Sequence, residues 1–414
     1  MNIVHINLFD HVGGAATIAD RLVTGMAEKG HKVTVFAHRK LTKDPRVIEI
    51  PFSQSQFQQK LMVLQNEKGL FDLFSMVLLE VFAHPAFQEA DVVHLHCING
   101  GYFSYLLLPF LTAKPTIWTL HDPLAFTAGC LYADACDKWQ TQKCLDCPLD
   151  ENTAGKKLQR ELVQSLKANV YSLVDLTLVC PSQWLKSKVE KSILSGKDTR
   201  LIYNSVDTQV FVPLDKATIR KQIGLPLDRK IVMFAAHGGF NMPLKGSKHM
   251  VAALLKLHFW YPELLLLNVG TSDSSVLDKS LPVQRIDVPY ISNPVKMAEL
   301  YAASDIFVSP SLSEVFGLTI CEAMACGTPV VAFSTGGIPE IISHLQTGYL
   351  AQTGDVEGLV AGISYLFDNQ GFRKRIGEQA RMRVVDKFSS GRMIDEYNQL
   401  YHEIWSNNQQ KNNQ

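Results

Sequence analysis

A chain of 414 residues is too long for one ordinary hydrophobic core, so two domains are expected. Its composition, 46% apolar and 19% charged, is that of a globular protein. Forty basic residues balance forty acidic ones, which leaves no global field for nucleic acid and excludes it as a partner.

The opening residues, MNIVHINLFD, lack the basic start and apolar core of a signal peptide. In the first half, short Val/Ile/Leu-rich runs alternate with helical segments. Strands are expected at Ile3–Leu8, Lys32–Ala37, Val47–Pro51, Val92–His96, Thr116–Leu120, Leu176–Cys180 and Arg200–Tyr203. Near-continuous apolar runs mark parallel strands covered on both faces. Gly13-Gly14-Ala15-Ala16 opens a helix that runs to Glu28 and stops at Gly30, a doubly wound start. The apolar stretch Tyr102–Ala113 is shorter than the roughly 20 residues of a membrane span and is interrupted by Pro109.

The second half repeats the alternation. Strands are expected at Ile231–Ala236, Leu264–Val269, Gln284–Val288, Ile306–Ser309, Pro329–Phe333 and Tyr349–Ala351. Helices are expected at Lys248–His258, Pro294–Ala303, Leu318–Ala325 and Val356–Phe367. Asn204–Asp228, with Pro213 and Pro226, reads as a linker. The expected fold class is α/β: two Rossmann-like, doubly wound domains facing across a cleft. The first spans residues 1–205, with a Cys-rich insertion at 123–150, and the second spans 206–387. A helix at 388–406 crosses back to the first domain, and a polar tail, 407–414, is expected to be disordered.

Pro310–Glu340, PSLSEVFGLTICEAMACGTPVVAFSTGGIPE, carries the densest chemistry. An apolar strand leads into a Ser/Pro turn, and a helix begins at Leu318. That arrangement presents backbone N–H groups and a helix dipole to phosphate. Glu322, one turn inside the helix, suits ribose hydroxyls, while Glu314, in the turn, faces whatever the phosphate carries. Together they describe a nucleotide-sugar site.

PSLSEVFGLTICEAMACGTPVVAFSTGGIPEII resembles the signature of family 4 retaining glycosyltransferases of the GT-B fold. YNSVDTQVF, CPSQWL and ADVVHLHCINGG are similar to further family segments, so the resemblance covers nearly the whole chain. WTLHDPLAFTAGCLYADACDKWQTQKCLDCPL resembles a subgroup of bacterial capsule, O-antigen and colanic-acid-type exopolysaccharide assembly.

The resemblance implies a retaining, metal-independent hexosyl transfer from a nucleotide sugar, UDP ahead of GDP, to a lipid-linked or polysaccharide acceptor. It implies catalytic roles for His121, Glu314 and Lys245. Donor contacts would come from Gly13, Gly14, Phe316, Gly317, Leu318 and Glu322. The family often pairs Lys245 with an Arg that has no obvious counterpart here; His237, the amides of Gly238 and Gly239, or Arg285 would take its place. His96, Asn99 and Asp122 are acceptor-side candidates, although His94 and His96 also read as core histidines. A cytoplasmic enzyme is implied, with peripheral contact at the inner-membrane surface. The run from Lys156 to Arg200, with nine Lys or Arg against four acids, would touch anionic headgroups or form a solvated helix face. No cofactor is expected for catalysis.

Four cysteines fall in the insertion: Cys130, Cys136, Cys144 and Cys147. A reducing compartment disfavours disulfides, so a structural zinc on four thiolates is expected, with free thiols or redox-sensitive disulfides as the other readings. A catalytically silent sugar-nucleotide-binding subunit and a GT-B epimerase are the competing functions.

Overall fold

A computed structural model describes residues 1–50, 56–70, 72–131, 133–134, 136–141, 143–145, 157–236, 243–270 and 281–412. The chain forms two compact units, one of Met1–Tyr203 with Met393–Gln414 and the other of Asn204–Arg392.

The first unit is built on strands β1 (Asn2–Phe9), β2 (Lys32–Arg39), β3 (Val47–Glu49), β4 (Val92–Leu95), β5 (Thr116–Thr119), β6 (Thr177–Cys180) and β7 (Thr199–Leu201). They pair in parallel in the order β3-β2-β1-β4-β5-β6-β7. β4, β5 and β6 are buried along their whole length, which explains their lack of polar alternation. The strand order reverses between β1 and β4, so the loops after those two strands diverge and leave room for a ligand. The helix Gly14–Glu28 lies so close to the C-terminal helix Ser390–Asn412 that a Cβ on Gly25 would overlap Ile394.

The second unit is built on β8 (Ile231–Ala235), β9 (Leu265–Val269), β10 (Gln284–Val288), β11 (Ile306–Ser309), β12 (Val330–Phe333) and β13 (Tyr349–Ala351). These are also parallel, in the order β10-β9-β8-β11-β12-β13. Its core packs Leu254, Leu257, Leu359, Ile363 and Leu366 against the sheet residues Val232, Phe234, Leu266 and Val308.

Three expectations need correction. The expected linker 204–228 contains a helix, Lys216–Ile223, capped by Asp215 and ended by left-handed Gly224. It belongs to the second unit because Arg220, 4% exposed, donates to Asp305 at 2.8 Å, and Lys216 reaches the same carboxylate at 2.7 Å. The return to the first unit starts at Met393 rather than at 388. Residues 388–390 stay in the second unit because Val206 N–H donates to Phe388 O at 2.8 Å and Ser390 N–H to Val206 O at 3.1 Å. The tail expected to be disordered is helical to Asn412, and Lys411 pairs with Asp175 at 2.8 Å. Among the described residues no helix is long and apolar enough to cross a membrane.

Candidate functional site

The loops after three adjacent strands, β8, β11 and β12, converge in the second unit. After β8, the turn Pro243–Lys245 ends at Gly246, whose φ is +73°. A Cβ there would overlap the Pro310 carbonyl oxygen, so only glycine lets the two loops meet. Leu312 N–H closes the junction by donating to Leu244 O at 2.8 Å. After β12, Gly336 (φ +56°) passes equally close to the Glu314 carbonyl oxygen, and Gly337 N–H donates to that oxygen at 3.0 Å.

The clamped turn holds Glu314 with its Oε2 2.6 Å from Lys245 Nζ. Gly317, at φ +114°, then opens the helix Leu318–Ala325 without a side chain capping its first amides. Phe316 is buried against Phe388, so it offers only main-chain atoms. Glu322 lies one turn into that helix and accepts a 3.1 Å hydrogen bond from Tyr301 Oη. Burial and then the Glu322 charge raise the Tyr301 phenol well above its ordinary range, so it stays a donor. A carboxylate–ammonium pair, bare helix amides and an oriented second carboxylate thus stand together at strand ends.

In the first unit, Gly13 (φ +90°) starts the helix Gly14–Glu28 beyond β1, again with no side-chain cap. A chain of imidazoles runs outward from the sheet. His5 Nδ1 is 3.0 Å from His96 Nε2, and His96 Nδ1 is 3.2 Å from His121 Nε2. Burial pushes His121 down to about 4 and His5 to about 3. It also holds His94 and His96 well below the usual histidine range. All four are neutral in the folded state at pH 7, whereas the unfolded chain would protonate them near pH 6.5. Their contribution to stability is therefore complete above about pH 6.5 and fades as pH falls toward about 4. An NMR titration should show His121 unprotonated from about pH 8 to 5; an ordinary midpoint near 6.5 would contradict this placement.

Beside His121, Asp122 accepts from Leu124 N–H at 2.8 Å and from Asn99 Nδ2 at 3.1 Å. These side chains border a cavity of about 520 Å³ that also includes Asp72, Tyr105 and Lys167.

Two family models match the chain: "Glycosyltransferase Family 4" over residues 12–210 and "Glycosyl transferases group 1" over 215–383. N-acetyl-alpha-D-glucosaminyl L-malate synthase of Bacillus anthracis is 24% identical over 409 residues, with 97% of each chain covered. A sucrose-phosphate synthase structure from Thermosynechococcus elongatus superposes with TM-score 0.73 at 21% identity, covering 98% of this chain and 100% of that one. The Anabaena protein HepE, solved with UDP and glucose, gives 0.69 at 17% identity, covering 97% and 99%. The chain is a GT-B glycosyltransferase.

Several expected residues of the glycosyltransferase stand elsewhere than their roles require. His96 is 1% exposed with both ring nitrogens bonded to other histidines, so it backs His121 and does not reach an acceptor. Arg285 sits near the start of edge strand β10, with Nε 2.7 Å from Asp287, at the wrong end of the sheet for the loop site. His237, Gly238 and Cys147 lie outside the described residues. Cys144 is buried, and Cys130 and Cys136 are half-buried. Burial and then those two neighbouring thiols raise Cys144. Among the described residues only His5, His94 and His96 bring three metal-ligand atoms within 4.8 Å of one another. Both His94 nitrogens are occupied, by Tyr401 Oη at 2.6 Å and Thr119 Oγ1 at 2.7 Å, which makes that group a hydrogen-bonded core.

Much of the basic run 156–200 is spent inside the unit. Lys167 and Lys197 donate to main-chain carbonyls, Lys188 pairs with Asp134 at 3.0 Å, and Arg200 pairs with Asp198 and Glu403, both at 2.6 Å. Asp72, Lys167 and Tyr301 escaped the sequence reading, because their importance comes only from partners distant in sequence.

Proposed function

We propose that the enzyme transfers a sugar from a nucleotide sugar, UDP-linked ahead of GDP-linked, to a hydroxyl of a saccharide or lipid-linked saccharide acceptor, with retention and without a catalytic metal. The observation that carries this reading is the Lys245–Glu314 pair at 2.6 Å, set beside the uncapped helix that carries Glu322. The uncapped amides suit the diphosphate, Glu322 the ribose diol, and Glu314 the hydroxyls of the donated sugar. The UDP and glucose held by the Anabaena relative support the choice of donor class.

No carboxylate is set up as a nucleophile in this reading. The acceptor oxygen bonds to the anomeric carbon on the face the leaving phosphate departs from, and the acceptor proton passes to the phosphate oxygen. Lys245 offsets the negative charge that develops on the diphosphate. The resemblance of the Cys-rich segment supports surface-polysaccharide assembly as the setting. Because so much of the basic run is paired internally, it gives no support for membrane contact.

Slow hydrolysis of a nucleotide sugar by purified protein, with release of the nucleoside diphosphate, is the expected result. Tight nucleotide binding with no hydrolysis of any donor in a UDP, GDP and ADP series would favour the silent binding subunit instead.

A further inference from the structure

The 520 Å³ cavity of the first unit lies within the range of small-ligand sites and is far larger than a water site. The lining includes the apolar groups of Leu124, Leu131, Val163 and Tyr105, which suit the C–H face of a pyranose. The opposite chemistry comes from Asp72, Asp122 and Asn99. Asp72 sits at φ +59° while its Oδ1 accepts from Gly101 N–H at 2.6 Å, which fixes the carboxyl against the Gly100-Gly101 turn. Asp122 is fixed by Leu124 N–H and Asn99, as described above.

Lys167 is the cation among the lining residues, and its charge is already committed. Nζ donates to Leu124 O at 2.7 Å and Thr127 O at 3.1 Å and stands 4.3 Å from the centre of the Tyr105 ring. With the side chain 3% exposed, few ammonium hydrogens remain for a ligand. Burial lowers Lys167 to about 8 and raises both Asp72 and Asp122. Ionised, the two acids repel an anion, and with Lys167 already engaged by carbonyl oxygens the lining residues offer little positive charge to offset that repulsion.

We propose that this cavity holds the acceptor sugar and selects a neutral or amino-bearing pyranoside, with Asp72 and Asp122 accepting its hydroxyl or ammonium hydrogens, and that it rejects carboxylated and phosphorylated acceptors. This rests on the transferase reading above and narrows its acceptor class. It also separates this chain from the Bacillus anthracis relative, whose name specifies malate, a dicarboxylate.

The test is a charge-only series against the full chain by ligand-observed NMR. Methyl hexosides of gluco, galacto and manno configuration are compared with their uronates, glucosamine and L-malate, and UDP is titrated in parallel. At least one methyl hexoside or glucosamine is expected to bind, with its uronate and malate at least about tenfold weaker. Asp72→Asn, which tolerates the left-handed backbone, should shrink that difference. Failure of every neutral and amino sugar to bind overturns the proposal, as does a uronate or malate binding as tightly, or a preference unchanged in Asp72→Asn. No UDP binding with the sugar preference intact would support the cavity assignment while overturning UDP as the donor nucleotide.

Discussion

Lys245→Ala is expected to lower kcat by about 10²- to 10³-fold, the usual cost of deleting one fixed group that offsets developing charge. Lys245 Nζ stands 2.6 Å from Glu314 in a turn pinned by Gly246 against Pro310, so the ammonium is positioned before any donor arrives. A charge placed in advance needs no reorganisation during bond breaking, and therefore acts mainly on kcat. The fold should not suffer. Lys245 is 35% exposed, and a partly exposed ion pair is worth at most about 1 kcal/mol. The variant should melt within a few degrees of wild type, and Lys245→Arg should recover part of the rate. Steady-state kinetics on hydrolysis or transfer check this; a raised KM with unchanged kcat would show that the lysine only binds ground-state donor.

The second large effect is structural. Gly336→Ala must place a methyl group against the Glu314 carbonyl oxygen while holding φ at +56°. The left-handed backbone costs about 1–2 kcal/mol for alanine, and the overlap adds roughly 1–3 kcal/mol unless the loop shifts. If the loop yields, the hydrogen bond from Gly337 N–H to Glu314 O goes with it, and Glu314 leaves Lys245. The variant should therefore be less stable by about 3 kcal/mol, or fold normally and be nearly inactive. Gly371→Ala, a helical glycine with open space at its Cβ, is the control and should be neutral or mildly stabilising in the same melting and activity assays. Wild-type stability together with full activity in Gly336→Ala would refute the clamp.

The strands and the turn and helix of Pro310–Glu340 were legible in the sequence because local pattern dictates them. Ile306–Val308 is an unbroken apolar run, and Gly317 and Gly336 mark turns whose positive φ favours glycine. Lys216–Ile223 was hidden by Pro213 and Pro226, which read as linker, although Asp215 before it and Gly224 after it are ordinary helix caps. The tail misled through its Asn and Gln content, since composition says nothing of the packed helix it extends. His96, just past the end of β4, keeps the alternation of the strand, but only strand pairing shows that its neighbours are His5 and His121. Asp72 and Lys167 meet across 95 positions of sequence, as do the parts of most sites built from several loops.

In the proposed function, the helix Leu318–Ala325 and its carboxylate hold the nucleotide of a sugar donor. Calorimetric titration of UDP into wild type and Glu322→Ala tests it most directly, with GDP titrated alongside. Glu322 lies one turn inside the helix, fixed by Tyr301 at 3.1 Å, and a charge-assisted bond to a ribose hydroxyl is worth roughly 1.5–3 kcal/mol. Wild type is expected to bind one of the two nucleotides, and Glu322→Ala to bind it about tenfold or more weakly while still folding, with a melting temperature lowered by the buried Tyr301 hydroxyl losing this acceptor. Equal affinity in the two proteins would contradict the ribose assignment, and with it the placement of the donor.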